Sequence, residues 1–264
     1  MDINKYRHPK ELMHRNICMI VGVLAWGALL LSNSIAAICY VAFFTVFFWI
    51  SEYFLKASMY GNSIHVTKEQ YKDIDDITRA LAQQLALERT PDVFVLNSHG
   101  VTNAVAVRFL SSKFLLLYSS LVDLLWCEKN QNKLRTIIAH ELAHHAAGHV
   151  GGIQNLVMMP AMMIPFLGTA HIRAREFTAD RIAAELVGNQ DDVMAALMAL
   201  ASGSRKLQPQ MSPQIFISQE QKVPRFCGFL KEIFASHPRM TKRIIALKEF
   251  HHSGLYSGNK PAVA

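Results

Sequence analysis

The residues His140-Glu141-Leu142-Ala143-His144 pair two imidazoles four positions apart with a carboxylate beside the first. On a helix that spacing stacks both rings on one face, one turn apart, where they can share a metal at about 2.0–2.1 Å. Glu141 then stands close to the metal without ligating it, placed to take a proton from a water held there. The neighbours suit such a helix. Leu134, Ile137, Ile138 and Leu142 offer an apolar side for burial, and Ala139, Ala143, Ala146 and Ala147 favour helix while leaving room for an ion. A solvated helix face with incidental histidines would not set these groups among so many small apolar residues.

A hydrolytic zinc site keeps three protein ligands and one open position. A third histidine at the H-E-x-x-H-x-x-G-x-x-H spacing is absent, because Ala147 and Val150 occupy the glycine and histidine positions. Downstream, the run Arg175-Glu176-Phe177-Thr178-Ala179-Asp180 sets two carboxylates four apart on one helix face. Glu176 is the expected third ligand, and Asp180 the acceptor for the free N–H of a ligating histidine. The competing reading makes both carboxylates surface ion-pair partners of arginines such as Arg173. His145, His149 and His171 are the alternative ligands, expected instead as surface or supporting histidines.

The elements that must position these groups follow from periodicity. Gln131–His149 reads as the motif helix, followed by helices at His171–Val187 and Asp191–Leu200. Before it, Lys68–Leu87 has a helical period ending at Thr90-Pro91, while Asp92–Leu96, Val101–Val107 and Lys113–Tyr118 read as strands. Gln208–Gln221 is rich in Pro, Gln and Ser and reads as a loop, with helices at Phe229–Phe234 and Arg239–Phe250 beyond it. No internal repeat is visible. The expected fold is α+β, with a small sheet followed by helices.

The chain of 264 residues is 51% hydrophobic and 18% charged, more apolar than an ordinary soluble domain and more charged than a polytopic transporter. The excess is local: Asn16–Ser51 contains no Asp, Glu, Lys, Arg or His. Two apolar runs, Ile17–Leu31 and Ile35–Ile50, flank Ser32-Asn33-Ser34 and read as a transmembrane helical hairpin, with one long or interfacial helix as the alternative. The block is about 54 Å long as helix, slightly short of two crossings of a core of about 30 Å, so flanking residues such as Leu12, Met13 and Phe54 must contribute. Two runs extending this far do not form a cleavable leader. Lys5, Arg7, Lys10 and Arg15 ahead of the block argue that both ends face the cytoplasm. The expected division is an anchor over 1–59 and a metal-binding domain over 60–264.

A second apolar stretch, Leu156–Ala170, is interrupted by Pro160 and Pro165. Because His144 and Glu176 must meet at one ion, the chain between them cannot cross a bilayer once, and the stretch is too short to cross twice. It is expected as a flap against the membrane beside the site, whether buried, re-entrant or interfacial; a core helix broken by proline is the alternative.

Net charge is +7, yet the surplus lies after Leu200, where ten Lys or Arg face three Glu. With no zinc-knuckle spacing and no aromatic-basic stacking motif beside it, this argues against a nucleic-acid partner and for a basic face near acidic lipid headgroups or a solvated helix face. The four cysteines, with no C-x-x-C, imply no disulfide framework.

Taken in order, the apolar pair, Thr102–Ala106 (TNAVA), His140–His145 (HELAHH), Arg173–Ala183 (RAREFTADRIA) and Ser236–Ile244 (SHPRMTKRI) span nearly the whole chain. In these features the sequence resembles the HtpX-like membrane metallopeptidases, a gluzincin family that includes the CAAX prenyl endopeptidases. The resemblance implies one zinc per chain, and an edge strand at Asn103, Ala104, Val105 and Ala106 that pairs with extended substrate backbone. It further implies that His237 and Arg243 stabilise an oxyanion. HtpX itself has two more spans between the zinc motif and the glutamate ligand, the prenyl endopeptidases enclose their site in many helices, and Val107-Arg108 stands here in place of the usual glycine.

The expectation is therefore a zinc endopeptidase of the inner membrane, multi-pass, with its catalytic domain facing the cytoplasm, acting on misfolded or membrane-associated polypeptides. Its oligomeric state is not legible. The rival reading is a non-catalytic, membrane-tethered zinc adaptor or sensor; the intact Glu141 beside an intact ligand set argues against it, since a scaffold has no use for a general base.

Overall fold

The computed structural model describes residues 1–32, 34–97, 104–109 and 112–254. Helices α1 (Pro9–Ser32) and α2 (Ser34–Asn62) come first, then β1 (Ile64–His65), α3 (Lys72–Gln84), β2 (Asp92–Leu96), β3 (Ala104–Phe109) and β4 (Ser112–Tyr118). The rest is helical: α4 (Ser119–Leu125), α5 (Asn132–Ala146), α6 (Gly152–Met162), α7 (Pro165–Val187), α8 (Gln190–Ser202), α9 (Pro213–Ser218), α10 (Arg225–Phe234) and α11 (Met240–His252). The fold is α+β, a small sheet among many helices, as the periodicity implies.

The sheet runs in the order β1-β2-β4-β3, with β2 and β4 parallel and the outer pairs antiparallel. The two-residue β1 is too short to leave a pattern in sequence. The expected loop at Gln208–Gln221 contains α9, where Ser212 caps the first turn by accepting from the Ile215 amide. The main core joins the sheet to α3, α5, α7 and α8 through wholly buried side chains such as Leu81, Leu115, Leu117, Leu134, Ile138, Leu142 and Ile182. Each contributes roughly 1.5–3 kcal/mol of burial free energy.

Over Pro9–Leu31 and Ile38–Asn62, α1 and α2 are long and apolar enough to cross a membrane. Both outer ends of the pair return to the globular part. Tyr6 is buried against Phe250, and β1 adds to β2 directly after α2.

The apolar stretch Leu156–Ala170 forms α6 and the start of α7, with Pro165 at the first helical position. It packs against α1 at Gly22, where an added Cβ would lie 2.0 Å from the Val157 carbonyl oxygen, so only glycine allows the approach. Pro160 sits inside α6 and lacks the N–H that would bond the Leu156 carbonyl. The indole of Trp26 donates to that carbonyl at 3.2 Å, so α1 satisfies the acceptor that the proline leaves open. Cys18, Met158 and Ala161 close the joint, while Ile153 and Met163 point outward.

Candidate metal centre

Helix α5 carries the motif into the interior. Asn130 accepts from the Asn132 amide at its start, and Leu134, Ile138 and Leu142 fix one side in the core. The buried His145 faces the Phe114 carbonyl of β4 at 3.2 Å, tying the helix to the sheet rather than to a metal. At the far end Gly148 adopts φ 72°, a left-handed turn natural to glycine, and the chain folds back so that the His149 ring meets His144.

The three expected ligands come together. His140 Nε2 and His144 Nε2 are 3.2 Å apart, and Glu176 Oε1 and Oε2 lie 3.3 Å from His144 Nε2 and 3.5 Å from His140 Nε2. Donors at about 2.0–2.1 Å around a tetrahedral metal stand about 3.3 Å from each other, so the triangle has the size such an ion requires. Two imidazole nitrogens and one carboxylate are also a fitting donor set for a borderline-soft divalent metal. Among the described residues this is the one such group of His, Cys, Asp or Glu.

Each of the two histidines of the triangle is held from behind by its second nitrogen. His140 Nδ1 is 3.0 Å from Asp180 Oδ1, and Arg243 clamps the same carboxylate with two bonds of 2.6 and 2.8 Å. His144 Nδ1 is 2.8 Å from His149 Nδ1, and His149 Nε2 is 3.2 Å from Glu11 Oε1 on α1. Were His144 Nε2 to face a metal, His144 would donate to His149 and His149 to Glu11. Thr178 and Arg7 donate to the same carboxylate, and Arg7 also reaches the Ala147 carbonyl at 2.7 Å. The start of α1 thus supports the metal centre, and sequence reasoning missed it. A signal existed: Glu11 is the one acidic residue between Asp2 and Glu52, placed at the edge of an apolar block.

The electrostatics favour positive charge among the donors. Burial alone would lower His140, but hydrogen bonds and charge from Asp180 and Glu176 outweigh it and raise the imidazole to about 10. Burial would raise Glu176, yet bonds from His140, His144 and His237 hold it well below the usual carboxylate range. Burial dominates at His149, lowering it to about 4 despite Glu11, which keeps the ring neutral and able to accept from one neighbour while donating to the other.

Glu141 is buried beside His140, and its charge is felt at Arg243. His237 stands at the open side with Nδ1 3.1 Å from Glu176 Oε2 and most of its ring exposed. Arg243 is buried; beyond the Asp180 clamp, its Nη1 lies 3.6 Å from Glu176 Oε2. The backbone of Ala104, Val105 and Ala106 lies in β3 at the end of the sheet, with β4 on one side; Asn103 falls outside the described residues. His171 is buried on α7 rather than on the surface.

A helix-borne pair of histidines completed by a glutamate from a second helix defines a metallopeptidase type of centre. Residues 68–170 and 150–251 match the family described as Peptidase family M48, and the chain belongs to that family. It is HtpX-like. It is 24% identical over 230 residues to the "Protease HtpX homolog" of Campylobacter curvus, covering 71% of this chain and 78% of the relative. The same-named protein of Pelotomaculum thermopropionicum is 23% identical over 231 residues, covering 68% and 76%. Among solved structures, Ste24p of S. mikatae shares the fold with a TM-score of 0.52 at 15% identity, over 87% of this chain and 62% of that one.

Proposed function

We propose that the chain is a membrane-anchored, zinc-dependent endopeptidase with its site on the cytoplasmic side of the inner membrane, held by residues 1–59 and carried by residues 60–264. The observation that carries this reading is the triangle of His140, His144 and Glu176 with Glu141 beside it. Two features support the anchor. The outward side chains of α2, among them Phe43, Val46, Phe47 and Trp49, form a continuous apolar surface that water would penalise, and basic residues precede α1.

His140, His144 and Glu176 would hold the metal. When bound there, zinc would supply Lewis acidity toward the scissile carbonyl and would lower the pKa of the attacking water toward neutrality. Glu141 takes the proton from that water and delivers it to the leaving amine. His237, at the open side, can donate to the oxyanion as it develops. Arg243 adds positive charge from below, while its clamp on Asp180 orients the His140 ring. As the last strand of the described sheet, β3 is placed to take up an extended peptide, which would gain main-chain hydrogen bonds without demanding a particular sequence. Misfolded or membrane-associated polypeptides, which expose extended segments, are the substrates this suits.

The test is cleavage of an unfolded model protein by the full chain in detergent or nanodiscs, zinc-loaded against chelator-treated. Cleavage that chelator abolishes and zinc restores supports an enzyme; intact substrate in both arms supports the adaptor reading.

A further inference from the structure

Helix α10 exposes its largest side chains. Phe226 is 73% exposed, Phe229 61% and Phe234 65%, with Leu230 beside them. At about 100° per residue these four fall within an arc of about 140°, and Arg225 and Lys231 lie just outside it, one at each border. The helix is nevertheless firmly seated. On its opposite side Gly228 is buried against Val223 and Arg239, and Arg239 donates to the Gly228 carbonyl at 3.0 Å. From α7, Arg173 donates to the carbonyls of Glu232 and Ala235 at 2.6 and 2.8 Å, and Thr169 to that of Ile233 at 2.5 Å. An apolar arc held outward this rigidly faces something other than water.

The place of α10 says what that is. Its C-terminal end is bonded to the first turns of α7, where Phe166 and, just before it, Met163 are also exposed. This tip belongs to the same α6–α7 unit that packs on α1 at Cys18 and Gly22, inside the apolar block. The exposed face of α10 is therefore connected, through α7 and α6, to the part of the molecule that enters the bilayer. Aromatic side chains along one arc with cations at both borders are the pattern of a helix lying in the lipid interface, rings toward the acyl chains and cations at phosphate level.

We propose that α10 is an interfacial helix whose partner is the bilayer surface itself, a second membrane contact besides the α1–α2 hairpin. The proposal rests on the reading of that hairpin as bilayer-inserted. It also deepens the functional reading: the chain leaves α10 at Phe234 and reaches His237 three positions later, so seating α10 on the membrane fixes the open side of the metal centre beside the lipid. The substrates so favoured are polypeptide segments that emerge from the bilayer.

The full chain is reconstituted in phosphatidylcholine–phosphatidylglycerol nanodiscs as C39S/C127S/C227S, retaining the buried Cys18, with one fluorophore at F229C, F47C or K129C. The probe at 229 is expected to be quenched by lipids spin-labelled near the headgroup and shielded from iodide severalfold relative to the probe at 129. The probe at 47 is expected to be quenched by lipids labelled deep in the acyl chain. If 229 behaves like 129 while 47 is quenched, the proposal is wrong and the anchor stands. If 229 is shielded from iodide and from lipid alike, a protein surface covers it and the lipid assignment is wrong. If 47 meets no lipid quencher, the anchor reading falls and the proposal with it.

Discussion

The imidazoles of His144 and His149 meet Nδ1 to Nδ1 at 2.8 Å, and through His149 the ring proposed to ligate the metal is tied to Glu11 on the first apolar helix. Removing the acceptor frees both rings to turn. Glu11→Ala and His149→Ala are each expected to weaken zinc binding by about 10–100-fold in chelator competition. Because the two act in series, the double variant should lose little more than His149→Ala alone. Losses that simply add would mean that the residues act independently.

Asp180 joins the His140 ring to the buried Arg243. Asp180→Asn keeps the shape but leaves the guanidinium without its clamp, so a loss of about 3–5 kcal/mol in stability is expected, read as a lowered thermal midpoint in the zinc-free protein. An unchanged midpoint would show that Arg243 finds its counter-charge elsewhere.

Much of the centre is legible in the residues themselves. His140, Glu141 and His144 announce one another by helical spacing, and Glu176 and Asp180 repeat the logic four residues apart, so periodicity alone brings five groups to two helix faces. The support from Glu11 is not legible, because nothing in linear order links residue 11 to residue 149; it depends on how α1 lies across the end of α5. The same limit applies to α10. The sequence reads as helix only from Phe229, which leaves out Phe226, and that the four-residue arc stays exposed is known only once the Arg173 and Thr169 bonds show which side is fixed. The two-residue β1 and the six-residue α9 escape for a simpler reason, being too short to repeat a strand or helix period often enough to show a pattern.

The α1–α6 joint makes a paired prediction. Gly22→Ala drives a methyl group into the Val157 carbonyl and should cost about 1–3 kcal/mol. Gly27→Ala, on the same helix with nothing within 4 Å of the new group, should be neutral or slightly stabilising. Thermal melts in one detergent compare them, and equal midpoints would mean that α6 does not rest on α1 at that point.

His171 supplies a pH dependence. Burial, assisted by the Arg175 charge, lowers it to about 3, and among the described residues neither ring nitrogen has a hydrogen-bond partner. Between the unfolded value near 6.5 and the folded value the unfolded chain binds a proton that the native state refuses, so stability is intact above about pH 6.5 and falls as pH drops toward 3. The loss should reach a few kcal/mol. His171→Gln should flatten this slope relative to the unsubstituted protein when midpoints are measured from pH 7.5 to 4.5. A slope equal to that of the unsubstituted protein would assign the acid sensitivity to other groups.

The most direct measurement is proteolysis by Glu141→Gln. The amide occupies the space of the carboxylate and leaves His140, His144 and Glu176 in place, so the purified variant should hold one zinc per chain while its rate on an unfolded protein falls by at least about 100-fold. Zinc retained with cleavage at the unsubstituted rate would contradict the assignment of Glu141 as general base, and with it the account of this centre as a peptidase.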